Sequence, residues 1–175
     1  MFKKIFFKLI LKYLLPGNSY ANLLGVKVGT NCRIYIKEFG SEPWLISIGD
    51  NVTITSGVKL LTHDGATWLI RDKRGRRYFY AKVTIGNNVF IGVNSIIMPG
   101  VNIGNNVIIG AGSVVTKSIP SGLIVAGNPA RRIGAFKNFE DRALVQYKSD
   151  SDILDNETLE SYSSRLISDD KINIL

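Results

Sequence analysis

With 175 residues and 45% apolar side chains, the chain is long enough for one domain with a real core and too apolar for general disorder. A single cysteine, Cys32, excludes an internal disulfide, and the net charge of +8 conceals an asymmetry: residues 1–139 carry 18 Lys+Arg and 5 Asp+Glu, residues 140–175 carry 4 and 9. A basic body raises nucleic acid as a partner, but there is no recognition helix and no RNP-like aromatic pair, and an anionic cofactor accounts for the charge equally well, so no nucleic acid is expected.

Residues 1–15 (MFKKIFFKLILKYLL) suit a helix with Phe2, Ile5, Phe6, Leu9, Ile10, Tyr13 and Leu14 on one broad face and lysines on the other, ended by Pro16-Gly17. Lys3, Lys4, Lys8 and Lys12 interrupt the apolar run, so no cleavable signal is read and a cytoplasmic protein is expected. About fifteen residues are too few to span a bilayer, which leaves a helix capping the body or a basic amphipathic segment lying on anionic lipid.

Val28-Gly29 opens irregular turns through Ile34 and Ile36, and Ser41 to Leu45 (SEPWL) interrupts the count. A six-residue phrase then takes hold at Ile48-Gly49-Asp50-Asn51-Val52-Thr53 and runs through Leu60-Leu61-Thr62-His63-Asp64. Residues 64–82 (DGATWLIRDKRGRRYFYAK) break it: charged, aromatic and without a six-fold repeat, they read as an insertion projecting into solvent or over a neighbouring surface.

From Ile85 to Pro120 six hexads follow without a gap: IGNNVF, IGVNSI, IMPGVN, IGNNVI, IGAGSV and VTKSIP. A period of six with Gly and Asn between defeats the three-and-four spacing of a helix. It suits a chain wound in triangular coils, three hexads per coil, with first-position Ile or Val stacked about 4.8 Å apart and Gly or Asn tolerating positive φ at the corners. Ser121 to Ile133 continue strand-like to a turn at Gly127-Asn128-Pro129. In the tail, Asn138 is an N-cap candidate for a helix to about Tyr147, and a second helix is expected from Glu157 to about Ile167, covering the far end of the coil.

These hexads, with VTK at Val115 to Lys117 and GNPAR at Gly127 to Arg131, resemble the hexapeptide-repeat acyltransferases. The resemblance covers roughly residues 28–133 and implies an all-β solenoid, a left-handed parallel β-helix. Left-handed winding runs against the usual right-handed crossover, so the hand comes from the resemblance alone. Three parts are expected: residues 1–27 as N-terminal helix and cap, 28–133 as the β-helix with its insertion at 64–82, and 134–175 as a helical acidic tail.

His63 is the only histidine. Read alone it would be a surface or structural residue, but the resemblance places a general base at the start of an extended loop some twenty residues before an IGxNVxIG hexad, as THDGA stands before IGNNVFIG. An imidazole with a pKa near 6.5 is mostly neutral at pH 7 and can take the proton of a hydroxyl attacking a thioester. Adjacent Asp64 is a candidate to orient the ring, or else to bind substrate or open the loop. The oxyanion needs a donor, most simply a backbone N–H near Gly92.

The implied acyl donor is acetyl-CoA. Its pantetheine arm would lie along exposed coil backbone, where glycines allow close approach. The resemblance assigns Gly110 and Ala111 to the pantetheine amides, Thr116 and Lys117 to the nucleotide side, and Arg131 to phosphate; Phe90 stands where many relatives carry a channel-lining Trp. Lys117 and Arg131 could equally be solvated turn charges. A hydroxyl of a sugar in a bacterial surface polysaccharide or its precursor is the expected acceptor, N-acetylation of a nucleotide-linked amino sugar the near alternative, and a non-catalytic or ice-binding solenoid the distant one. The zinc-dependent γ-type carbonic anhydrases share such coils but need three histidines per site, so no metal is expected. A parallel homotrimer with each site between two subunits is implied as well.

Overall fold

The computed structural model describes residues 10–154 and 157–169. It falls into two compact units, residues 1–138 and 139–175.

The first unit is built from short strands that pair, in parallel, with the strand one coil away. β1 (Lys27–Val28), β3 (Ile46–Ile48), β8 (Val83–Ile85) and β11 (Asn102–Ile103) make one sheet; β5 (Lys59–Leu60), β10 (Ile96–Ile97) and β13 (Val114–Val115) make a second. The third runs β2 (Arg33–Ile34), β4 (Val52–Ile54), β9 (Val89–Ile91), β12 (Val107–Ile109), β14 (Leu123–Ala126), and ends on β15 (Arg131–Ala135), the one antiparallel member. Between regular coils the partner lies 18 residues on, as for Val89 and Val107 or Ile85 and Ile103. Across the insertion the step is 37 residues, as from Leu60 to Ile97, and the surplus of 19 is the length of segment 64–82. Across SEPWL it is 20, as from Ile34 to Ile54, so two extra residues are accommodated there.

First-position Ile85, Ile91, Ile97, Ile103, Ile109 and Val115 are all at most 2% exposed, and with Ile34, Ile48, Ile54, Leu60 and Val125 they form the inner columns. The fifth position supplies the second layer: Val89, Val101, Val107 and Ile119, and, where only a small side chain fits, Ser95 and Ser113. Both serine hydroxyls are sealed from solvent and donate to the Gly110 carbonyl, at 3.0 and 2.6 Å, which removes the cost of burying them.

Positive φ is confined largely to the fourth position of the hexad, filled by Asn88, Asn94, Gly100, Asn106 and Gly112 in the first five of the six consecutive copies. Asparagine serves there because its amide has a partner on the next coil: Asn31 donates to Asn51, Asn51 to Asn88 and Asn88 to Asn106, at 3.1, 2.8 and 2.6 Å. The second-position glycines have a different cause. A Cβ on Gly86 would stand 2.8 Å from the Gly104 carbonyl and 2.5 Å from Asn105 Oδ1, so close stacking of coils, rather than backbone sign, requires glycine there.

Residues 10–14 are helical, and Pro16-Gly17 separates them from a further helix, α1 (Gly17–Leu24), which the sequence reading did not foresee. Gly17 lies directly against the Ile34 carbonyl, and Tyr20 and Ala21 are buried in the core cluster, so this helix packs on the first coil. The proposed lipid-facing positions from Met1 to Leu9 lie outside the described residues. No helix among the described residues is long and apolar enough to cross a membrane.

The chain leaves β15 directly into α2 (Phe136–Gln146), so Asn138 is inside the helix rather than its cap; the β-strand runs straight into helical geometry three residues earlier than the cap signal suggests. In the second unit α3 (Leu159–Asp169) starts, conversely, two residues later than expected, and its Arg165 forks onto Glu157 at 3.0 and 2.8 Å.

Gly86→Ala should lower stability by about 1–3 kcal/mol, the usual cost of overpacking, and Tm by roughly 2–12 °C. Gly65→Ala, whose added Cβ meets nothing within 4 Å, is the control and should melt with the wild type in circular dichroism. Equal melting of Gly86→Ala and wild type would refute the stacking account.

Candidate active site

After Leu60 is pinned in the core, the chain turns outward at Thr62 and His63 before leaving the coil. Thr62 is buried and donates its hydroxyl to Glu42 Oε2 at 2.7 Å; the next residue, half-exposed His63, places Nδ1 2.8 Å from the same oxygen. Because a carboxylate only accepts, the contact puts the proton on Nδ1 and leaves Nε2 with its lone pair. Glu42 is 13% exposed. Burial raises its pKa, but hydrogen bonds from Thr62 and His63 and the attraction of a charged imidazole outweigh it, holding the carboxyl below its ordinary value.

Glu42 was missed in the sequence because it lies in SEPWL, where the period fails. The 20-residue step between those two coils sets Glu42 directly beneath Thr62; the signal was the two-residue surplus itself, with one acidic residue in it. Asp64 turns elsewhere: Oδ1 accepts from the Ala66 amide at 2.8 Å and caps the short 3₁₀ helix Gly65–Leu69. It opens the loop, and Glu42 is the carboxylate on the ring.

The excursion closes on itself where it began. Ala81 N–H donates to the Thr62 carbonyl and Asp64 N–H to Phe79, while His63 and Tyr80 form an antiparallel bridge with ring centroids 6.0 Å apart. Between them β6 (Arg71–Asp72) and β7 (Gly75–Arg76) form a small hairpin.

The residues expected on the donor side fall at two corners. Extending the register of β5, β10 and β13 sets Leu61, Met98 and Thr116 in one row, so Thr116 and Lys117 lie two coils, about 10 Å, along the axis from the turn that carries His63. Phe90 stands mid-strand in β9, and Gly92, Gly110 and Ala111 lie at the corner that follows β9 and β12; from Ala111 to Thr116 is at most about 17 Å of extended chain. Phe90 faces outward between Thr53 and Ile108.

Gly92 N–H donates to the Ile109 carbonyl at 2.8 Å and is no free oxyanion donor. Gly92 instead provides room, since a Cβ there would come within 2.5 Å of Ala111 N. Gly110 is likewise engaged, its N–H on the Val125 carbonyl and its carbonyl on two serines. By contrast, the exposed Ala111 and Thr116 N–H groups donate to nothing among the described residues. The turn after β14 covers β13 only at Val114, which bonds Gly127 O and Ala130 N, leaving the edge at Thr116 open. Lys117 and Arg131 are exposed, Arg131 with one bond to the Ala130 carbonyl. Two open backbone donors, a close-packed glycine corner and exposed cations fit an extended amide-bearing arm that ends in phosphates.

Residues 82–117 match the family model described as the hexapeptide repeat of succinyl-transferase. Protein CapG of Staphylococcus aureus is 52% identical over 145 residues, 81% of this chain and 83% of that protein. A putative acetyltransferase of Bacillus subtilis, YvoF, is 35% identical over 70% of this chain and 68% of its own length. Among solved structures, galactoside acetyltransferase in complex with coenzyme A superposes with a TM-score of 0.54 at 36% identity, over 72% of this chain and 61% of that one. The chain belongs to the hexapeptide-repeat acetyltransferases, an acyltransferase family.

A folded-state pKa held low means that the stabilisation from Glu42 is present above the ordinary glutamate value and is lost as pH falls through the depressed one. The Tm gap between wild type and Glu42→Gln should be widest near neutral pH and close as pH drops below about 4. A gap independent of pH would show that the carboxylate charge does not carry the contact.

Proposed function

We propose that this chain is an acetyl-CoA-dependent O-acetyltransferase acting on a hydroxyl of a sugar, within or on the way to a surface polysaccharide. The observation that carries it is the Glu42–His63 pair, a half-exposed imidazole with Nδ1 tied to a carboxylate and Nε2 free. The solved galactoside acetyltransferase with coenzyme A supports both donor and acceptor class. Transfer to an amino group of a nucleotide-linked sugar is the alternative, and no observation on this chain favours it.

Bound acetyl-CoA would supply an activated acyl carbon on a thioester. Ala111 and Thr116 N–H would hold the amides of its arm, and Lys117 and Arg131 its phosphates. Phe90 would line the channel. His63 Nε2 takes the proton of the acceptor hydroxyl as the new C–O bond forms, and returns it to sulfur as the C–S bond breaks. Glu42 fixes the ring's tautomer and stabilises the imidazolium that forms in between.

The coil is inferred to wind left-handed, as in its family, with residues 28–133 the acyltransferase domain, 1–27 its N-terminal cap and 134–175 an appended tail. Such an enzyme would work in the cytoplasm, with residues 1–15 available for peripheral contact with anionic lipid. A parallel homotrimer in which a neighbour completes each site, as the family resemblance implies, is the assembly taken with this reading.

His63→Ala should cut kcat by about 10²–10⁴-fold with acetyl-CoA binding retained, and Glu42→Gln should lower kcat with little change in KM for the donor; thiol release from acetyl-CoA is the readout. Near wild-type kcat in His63→Ala would overturn the assignment. Light scattering should give three times the 19.3 kDa chain mass, with activity falling on dilution as the trimer dissociates. A fully active monomer would refute the shared site while leaving the chemistry intact.

A further inference from the structure

The excursion of residues 64–82 holds six basic and two acidic residues, and its arginines divide into two kinds. Arg74 and Arg77 both pair with Asp72. Arg71 and Arg76 have no acidic partner among the described residues and lie instead on aromatic faces. Arg71 stacks on Trp68 at 4.2 Å; Arg76 is held between Trp68 at 4.6 Å and Tyr78 at 4.5 Å. Tyr78 stacks on Tyr80 at 6.3 Å and 10°, and Tyr80 stands 6.0 Å from the His63 ring. Five side chains thus form one ladder that ends at the proposed base, with Trp68, Tyr78 and Tyr80 each more than half exposed.

Such a patch is costly if it does nothing. Arg76 Nε is sealed from solvent without a hydrogen-bond partner, a desolvation that the two rings offset only in part. No other nitrogen of this guanidinium is sealed and unpartnered, which leaves its terminal fork open to an incoming group. A planar fork on an aromatic floor matches a carboxylate or phosphate bidentately, while the flanking phenol rings present flat apolar faces with a polar tip, suited to the C–H face and hydroxyl edge of a pyranose.

We propose that this ladder is the acceptor rail and that it selects an acidic saccharide, its anionic group on Arg71 and Arg76 and its sugar ring on Tyr78 and Tyr80, which presents a hydroxyl to His63. The proposal rests on the acetyl-transfer reading of the site and adds the charge class of the acceptor. A neutral sugar would leave both guanidinium groups uncompensated; an anion converts them into charge-assisted contacts.

Calorimetry without acetyl-CoA tests binding apart from turnover, using trigalacturonate, galactose 6-phosphate and neutral galactotriose as probes. At least one acidic probe should bind tighter than galactotriose by about tenfold or more, the scale of one charge-assisted contact; which one does so distinguishes carboxylate from phosphate. Arg76→Gln should abolish that preference and Arg76→Lys, which keeps the charge but not the planar fork, should keep only part of it, with galactotriose binding unchanged in both. Equal binding of all three probes, a preference that survives Arg76→Gln in the Arg71→Gln background, or a change of oligomer mass in Arg76→Gln, which would make the ladder a subunit contact, overturns the proposal. If the preference holds but no probe or derived acceptor yields thiol release, it is the transfer reading that falls.

Discussion

Register between successive coils is the constraint on which the rest of this structure depends. Between regular coils each short strand bonds a strand 18 residues away, and that spacing stacks Ile on Ile, Val on Val and Asn on Asn from one turn of the chain to the next. Strands of two or three residues would be marginal alone. They persist because every inward side chain has its equivalent above and below, so that burial accumulates along the axis as in other repeat architectures. The same stacking excludes a Cβ at Gly86, Gly92 and Gly104, where the next coil's backbone lies within 3 Å of where it would stand.

The chemistry inherits its geometry from this register. Glu42 meets Thr62 and His63 only because two adjacent coils are held in fixed phase, with the extra residues of SEPWL looped out on one and the 19-residue excursion on the other. Thr62 links the two layers: its hydroxyl is buried on Glu42 while its carbonyl receives Ala81 N–H at the base of the excursion. Rigidity of the coil is thereby passed to the imidazole, and the proposed base, held in one tautomer with its outer nitrogen clear, would need no rearrangement before accepting a proton.

Legibility in the sequence followed periodicity. The columns from Ile85 to Ile119 could be read directly, since a strict period of six admits few folded solutions, and the excursion was visible as the place where that period stopped. What the reading got wrong concerned pairs of residues distant in sequence. The second-position glycines resemble turn residues by type, but the space they need is set by a neighbour 18 residues on. Asp64 is adjacent to His63 in the chain and not at the ring, because a residue that caps a 3₁₀ turn points back along its own backbone. Glu42 lay 21 residues away inside an irregular stretch, and Gly92 could not be known to spend its N–H on Ile109 until coil spacing was fixed. The second helix, Gly17–Leu24, was hidden by Pro16-Gly17, which read as a stop although proline also stands well at a helix start.

A perfect hexapeptide coil is chemically quiet: its backbone groups are spent on neighbouring coils, its inward positions are apolar or, for the serines, fully satisfied, and its outward positions are short. Reactivity must therefore be placed where the repeat fails, and in this chain the irregularities coincide with the groups proposed to carry it. The two-residue surplus carries Glu42, the excursion begins at His63 and carries the aromatic and arginine ladder, and the end of the stack leaves Ala111 and Thr116 with unspent N–H groups beside the turn at Gly127 to Ala130. Each irregularity is tolerated because the coils on either side of it are in register, so departures that would unfold a small sheet cost little here. In a scaffold of this kind the segment proposed to hold the acceptor can vary in one excursion while the proposed base, its carboxylate and the donor edge, carried by the coils, stay in place.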